Sequence, residues 1–208
     1  MPHEIEQVRK DMTALKKALR KAGVHEKLLG AVETRALKSG RRKTGEFPSN
    51  RASRWTLKAG DPQFGTELDC RIIYIKLWGM ILSFANAPEV PAETKALLEA
   101  YLGAPLAPGS YRDALTLELL DYWAFAAEAE GTKHGRSAFH LGHTDPTAVP
   151  RHTPDNVAWR SDRSNLIQGD LTLPQARTRI VEIIARYFNL GEVTITPTKS
   201  AGPVRPTE

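Results

Sequence analysis

Apolar side chains recur every three or four positions at the start of the chain. Ile5, Val8, Met12, Leu15 and Leu19 are separated by charged residues, a spacing that predicts an amphipathic helix over residues 4–22 with Gly23 as its stop. Leu28, Leu29, Val32 and Leu37 repeat the pattern over residues 25–38. The densest apolar stretch, TELDCRIIYIKLWGMILSFANA at 66–87, is long enough for a buried helix, although the β-branched residues near Ile72 leave a strand open. Pro88 and Pro91 end it. Two more helices are predicted at 92–103 and 111–129, the second closing in an Ala-rich run near Gly131.

The texture changes after Gly131. SAFHLGH predicts a short strand, TDPTAVPRHTPD is rich in turn residues, and NVAWRS predicts a second strand. SDRSNLIQGD then supplies a capping start and a short helix. Residues 174–189 form an amphipathic helix with Ile180, Ile183, Ile184 and Phe188 on one face. From Gly191 the chain is rich in Pro, Thr and Lys and reads as a disordered tail. The expected class is therefore α+β and mostly helical. It divides into a helical region at 1–130, a mixed unit at 131–190 and a tail at 191–208.

Composition narrows the class. At 208 residues, 41% of them hydrophobic, the chain is long enough to bury a core without staples. Its single cysteine, Cys70, excludes a disulfide framework and a cysteine-based zinc site. The charged N-terminus MPHEIEQVRKDM lacks the apolar core of a signal peptide, and no apolar run is long enough to predict a membrane span. The expectation is a soluble, cytoplasmic protein.

The formal charge of +5 is unevenly spread. Between residues 35 and 58 stand eight basic residues against one acid, Glu46, a local +7 that leaves about −2 for the remainder. Such a basic loop, interleaved with Gly, Ser, Asn and Trp55, suggests a polyanionic partner, with Arg41, Arg42, Lys43, Arg51 and Arg54 as candidate phosphate contacts. A solvated loop is the plain alternative.

Three of the six histidines, His140, His143 and His152, fall between residues 140 and 170. The sequence GHTDP, then NVAWRS, then SNLIQGD resembles the HNH nuclease family, also called the ββα-metal fold. In that family a His ends the first strand, an Asn opens the second, and a His or Asn lies on the helix. The matching positions are His143, Asn156 and Asn165, at intervals of thirteen and nine residues. The resemblance covers about residues 136–172 and implies a C-terminal hairpin-helix catalytic unit.

The resemblance also implies roles. His143 would be the general base that takes a proton from water, a task suited to imidazole. Asn156 would hold the loop and orient His143. Asn165 would bind one divalent ion, Mg2+ or Mn2+, which stabilises charge on the phosphate and on the leaving 3′ oxygen. Arg160 and Arg163 flank the site and would bind phosphate, as the guanidinium fork does well.

Two features depart from the family. Many members carry Asp immediately before the catalytic His as the first metal ligand, where this chain has Gly142. His140, on the same strand face as Gly142, and Asp145, just beyond the strand, are the candidates to replace it. An imidazole ligand would shift preference from magnesium toward manganese. Zinc-knuckle cysteines are also lacking, so Phe139, Val157, Trp159, Leu166 and Ile167 are expected to support the unit by packing. The plainer readings make His134 and His152 solvated or loop-capping, or let His140, His143 and His152 hold a structural zinc.

The leading functional expectation is a metal-dependent endonuclease that cuts double-stranded DNA to 5′-phosphate and 3′-hydroxyl ends, of the restriction type or of the phage and mobile-element type. Two-strand cutting would imply a homodimer. A DNA-binding protein with a decayed nuclease hairpin, and an RNA-cleaving enzyme, are the alternatives.

Overall fold

The computed structural model describes residues 4–42, 51–131 and 137–194. In chain order these form α1 (Ile5–Lys21), α2 (Glu26–Leu37), β1 (Lys38–Arg42), β2 (Arg51–Ser53), a 3-10 turn at Arg54–Thr56, α3 (Glu67–Ile81), α4 (Ala92–Leu102), α5 (Tyr122–Glu130), β3 (Phe139–His143), β4 (Val157–Ser161), α6 (Asp162–Gln168) and α7 (Leu173–Asn189). The mostly helical α+β class is thus the one observed. The disordered tail expected from 191 falls mainly outside the described residues, as does His134.

Helix α3 is apolar over residues 72–75 and 77–81 because it lies among other elements. It packs against α1, α2 and α4 and carries the hairpin β3–β4 on its remaining side. Thr66 starts it, its side chain accepting from the Asp69 amide. Gly79 lets α4 approach closely: a Cβ there would lie 2.7 Å from Leu102 Cδ1. The strand reading of this segment is not realised; the run is a helix of fifteen residues with Ile73, Tyr74, Ile75, Leu77 and Trp78 buried.

The core is continuous from α1 into the hairpin, with Val8 and Trp159 in one buried cluster. Trp159 is fully buried, and its indole Nε1 donates to the Leu77 carbonyl of α3 at 3.1 Å. Its ring meets Phe125 edge-on at 4.7 Å, and Phe125 in turn meets Phe139 at 5.0 Å. Each such aromatic pair adds about 0.5–1.5 kcal/mol beyond its area burial. These contacts anchor the hairpin that holds the candidate site.

Three expectations are corrected. Residues 111–121 are not helical, and α5 begins only at Tyr122. Asp113 Oδ1 accepts from the amides of Leu115 and Thr116, Leu117 takes φ +61°, and Arg112 bridges to Leu119. Side-chain bonds to the local backbone here outcompete the helical ladder. Part of the basic loop is ordered as the antiparallel pair β1–β2, in which buried Ser39 donates to the Ala52 carbonyl at 3.2 Å. Leu166 and Ile167 do not pack: they are 54% and 52% exposed, on the outer face of a helix only two turns long.

Helix α7 starts with a capping box between Thr172 and Gln175. Among the described residues its apolar stripe is covered at its start, where Leu173, Ala176 and Ile180 meet Ala114 and Leu115. Further along, Ile183, Ile184, Tyr187 and Leu190 remain exposed.

Candidate functional site

The site is built where β3 ends. The two strands pair in register from Phe139↔Ser161 to His143↔Val157, and the Thr144 amide continues the ladder to the Asn156 carbonyl at 2.9 Å. Ser161 closes β4 and caps α6, accepting from the Ser164 amide. Strand, loop, strand and helix therefore follow one another without slack.

Asn156 clamps the loop between the strands. Its Oδ1 accepts from the Asp145 amide at 2.7 Å, and its Nδ2 donates to the carbonyls of Asp145 and Arg151, both at 2.8 Å. Its three side-chain bonds go to two distant points of the loop. Neither backbone nor hydroxyl could span both, which is why a carboxamide stands here. Gln168 does the same from the helix side: its Nε2 donates to the His143 carbonyl at 2.7 Å and to the Leu171 carbonyl at 3.0 Å.

These clamps bring His143, Arg151, Asn165 and Gln168 around one cleft of about 280 Å³. His143 and Asn165 are the pair expected from spacing; Arg151 and Gln168 were not singled out by it. Arg151 lies within the turn-rich loop, whose composition signals turns rather than chemistry. Its guanidinium has neither hydrogen bond nor ion pair among the described residues.

His143 is largely buried, and its Nε2 has no hydrogen-bond partner. Burial first, then the charges of Arg151 and Arg54, push its pKa down to about 4, so the imidazole is neutral and able to accept a proton at neutral pH. Its ring lies 6.4 Å from that of His152. The reading of His152 as solvated or loop-capping is corrected. It is fully buried, with Nε2–H donating to the Ala36 carbonyl at 2.8 Å, and burial pushes its pKa down to about 3.

The structure does not bring His140 or Asp145 into this cleft. Strand alternation turns His140 to the opposite face, where its Nε2 lies 2.8 Å from the Ser137 carbonyl and 3.1 Å from Asp162 Oδ1. It lines a separate depression with Lys27, Arg35 and Arg51. Asp145 Oδ1 accepts from the amide and hydroxyl of Thr147, at 2.8 and 2.6 Å, and these bonds lower its pKa. Among the described residues no cluster of three or more His, Cys, Asp and Glu side chains could hold a metal ion, so a zinc site of His140, His143 and His152 is not formed.

The donor set tests the fit of a divalent ion. Asn165 offers an amide oxygen, and Gln168 has a buried Oε1 without a hydrogen-bond partner. No carboxylate lines the cleft, and Arg151 places a positive charge in it. The residues fit an ion that arrives with an anionic ligand, not one held by the protein alone.

Of the expected phosphate contacts, Arg160 is corrected. It is 0% exposed, with its guanidinium 3.9 Å from the equally buried Asp113. Arg54 is mostly turned inward as well, donating to the carbonyls of Gln63 and Arg35 at 3.1 and 3.4 Å. Arg51 and Arg163 are exposed. Arg41 and Arg42 lie on β1, with side chains outside the described set, and Lys43 lies outside the described residues.

No protein-family model matches the chain, and no curated protein matches it. Among solved structures, the chain is similar in fold to one described as a type II restriction endonuclease, with a TM-score of 0.61, 17% identity, and coverage of 82% of this chain and 81% of that one.

Proposed function

We propose that the protein is an endonuclease that hydrolyses DNA phosphodiester bonds at the cleft of His143 and Asn165. The observation that carries this reading is that cleft: a neutral, largely buried imidazole at a strand end lines it together with an Asn of the following helix, with the intervening loop clamped by Asn156. The arrangement agrees with the HNH resemblance, and the fold similarity to a restriction endonuclease is consistent with it.

In this reading His143 takes the proton of a water that attacks phosphorus. The P–O3′ bond breaks, leaving a 5′-phosphate and a 3′-hydroxyl. A divalent ion, Mg2+ or Mn2+, bound at Asn165 and the substrate would supply charge stabilisation at the phosphate and leaving oxygen. Gln168 holds the His143 backbone from the helix, and Asn156 holds the loop that follows it. Arg51 and Arg163 are exposed cations for duplex backbone. A restriction-type enzyme that cuts both strands would act as a homodimer. The exposed stripe of α7 is the surface that suits a second copy.

The test is cleavage of plasmid DNA with magnesium, with and without chelator. Nicked or linear product that disappears with chelator supports the reading. Binding without cleavage under magnesium and manganese would favour the decayed hairpin, which the lack of a carboxylate in the cleft also favours.

A further inference from the structure

We propose that Arg151 is the phosphate anchor of the cleft and that a divalent ion loads there only after the anchor is occupied. The proposal rests on the nuclease reading of the site and deepens it by assigning the group that holds the reacting phosphate and the order in which phosphate and ion arrive.

Three observations carry it. The first is an uncompensated charge. Arg151 lines the same cleft as His143 and Asn165, and its guanidinium has no hydrogen bond or ion pair among the described residues. An arginine fork left open beside a neutral imidazole is complementary to a phosphate, which accepts two parallel N–H bonds. The second is its placement. The Arg151 carbonyl is fixed by Asn156 Nδ2 at 2.8 Å, and the same side chain fixes Asp145, two residues beyond His143. The clamp therefore ties the backbone of Arg151 to the chain just beyond His143, at the edge of the cleft that both line. The third is the donor set for a metal. Neutral amide oxygens are on offer, no carboxylate lines the cleft, and a cation already stands in it.

A divalent ion approaching the empty cleft meets repulsion from Arg151 and no negative ligand to offset its dehydration. Once a phosphate sits on Arg151, the guanidinium charge is neutralised and phosphate oxygens become ligands. Binding of phosphate and of ion is then positively coupled, and by linkage each raises the affinity of the other by the same factor.

The experiment uses the whole chain with thymidine 3′,5′-bisphosphate as the phosphate probe and Mn2+ as the ion, followed by calorimetry and by Mn2+ spin resonance. Without metal, the bisphosphate is expected to bind the wild-type protein. Arg151→Ala should weaken it roughly tenfold or more, because a charge-assisted pair is lost. Arg151→Lys, which keeps the charge without the fork, should fall between. Mn2+ should bind the protein–bisphosphate complex at least about tenfold more tightly than the free protein, after subtracting Mn2+ binding by the probe alone. Asn165→Ala should remove that gain while leaving metal-free bisphosphate binding unchanged.

Equal Mn2+ affinity with and without bisphosphate overturns the loading order. Wild-type bisphosphate binding by Arg151→Ala, or no binding by the wild-type protein, overturns the anchor. The nuclease reading is judged separately on plasmid: Arg151-dependent bisphosphate binding without cleavage leaves an anion site and removes the nuclease, whereas cleavage with Arg151-independent binding does the reverse.

Discussion

A Cβ at Gly142 would lie 2.3 Å from the Cγ of Arg160, so the buried arginine that crosses this strand leaves no room for a side chain at position 142. Arg160 in turn stays inside because Asp113 lies beneath it, 3.9 Å away, on the turn that interrupts the expected 111–129 helix. Gly142→Asp should therefore not supply a first metal ligand. It forces Arg160 aside, and overpacking of this kind costs about 1–3 kcal/mol. Urea unfolding measures it; a variant as stable as wild type, with tighter Mn2+ binding, would show that the space beside Gly142 is open.

His143→Ala should lower cleavage by roughly 100- to 10,000-fold, the usual loss for a general base. DNA affinity should stay within about twofold, since a neutral imidazole contributes no charge to the backbone contacts that dominate affinity. Turnover is read on plasmid and affinity by fluorescence anisotropy. Near-wild-type turnover would remove His143 from the mechanism.

Acid should destabilise the fold through His143 and His152. Their folded pKa values, about 4 and about 3, lie below the ordinary 6.5, so the unfolded chain takes up protons first as pH falls. The stability is fully present above about pH 7 and declines as pH drops through 6.5 toward 4, by on the order of a few kcal/mol. Urea unfolding at pH 7.5 and pH 5 tests this in a window above the ordinary carboxylate range. His152→Gln should reduce the difference between the two pH values; an unchanged stability in the wild-type protein would mean that the two rings are hydrated and can charge in place.

The stripe of Ile183, Ile184, Tyr187 and Leu190 should join two copies of the chain. Light scattering is expected to give twice the mass of 23.0 kDa for the wild type and the single mass for Ile183→Glu with Ile184→Glu. Because these side chains are already exposed in the single chain, the double variant should keep its helical circular dichroism. A wild-type protein that remains monomeric at high concentration would rule out this use of α7.

What the sequence determined by itself was whatever repeats at short range. The three-and-four spacing of Val8, Met12, Leu15 and Leu19 located α1 to within a residue at either end, and all four are buried as expected. The order of strand, loop, strand and helix was legible after Gly131, because turn residues and capping residues act on neighbours along the chain. The tertiary structure decided what depends on distant neighbours. Arg160 resembles a phosphate contact in sequence, but Asp113, forty-seven residues earlier, draws it into the interior. Arg151 resembles a turn residue, yet the reach of Asn156 sets it beside His143. The apolar face of α7 was visible in the sequence. That, among the described residues, Leu173, Ala176 and Ile180 of it would be covered followed from where Ala114 and Leu115 end, since periodicity specifies which side of a helix is apolar but not how far its partner extends.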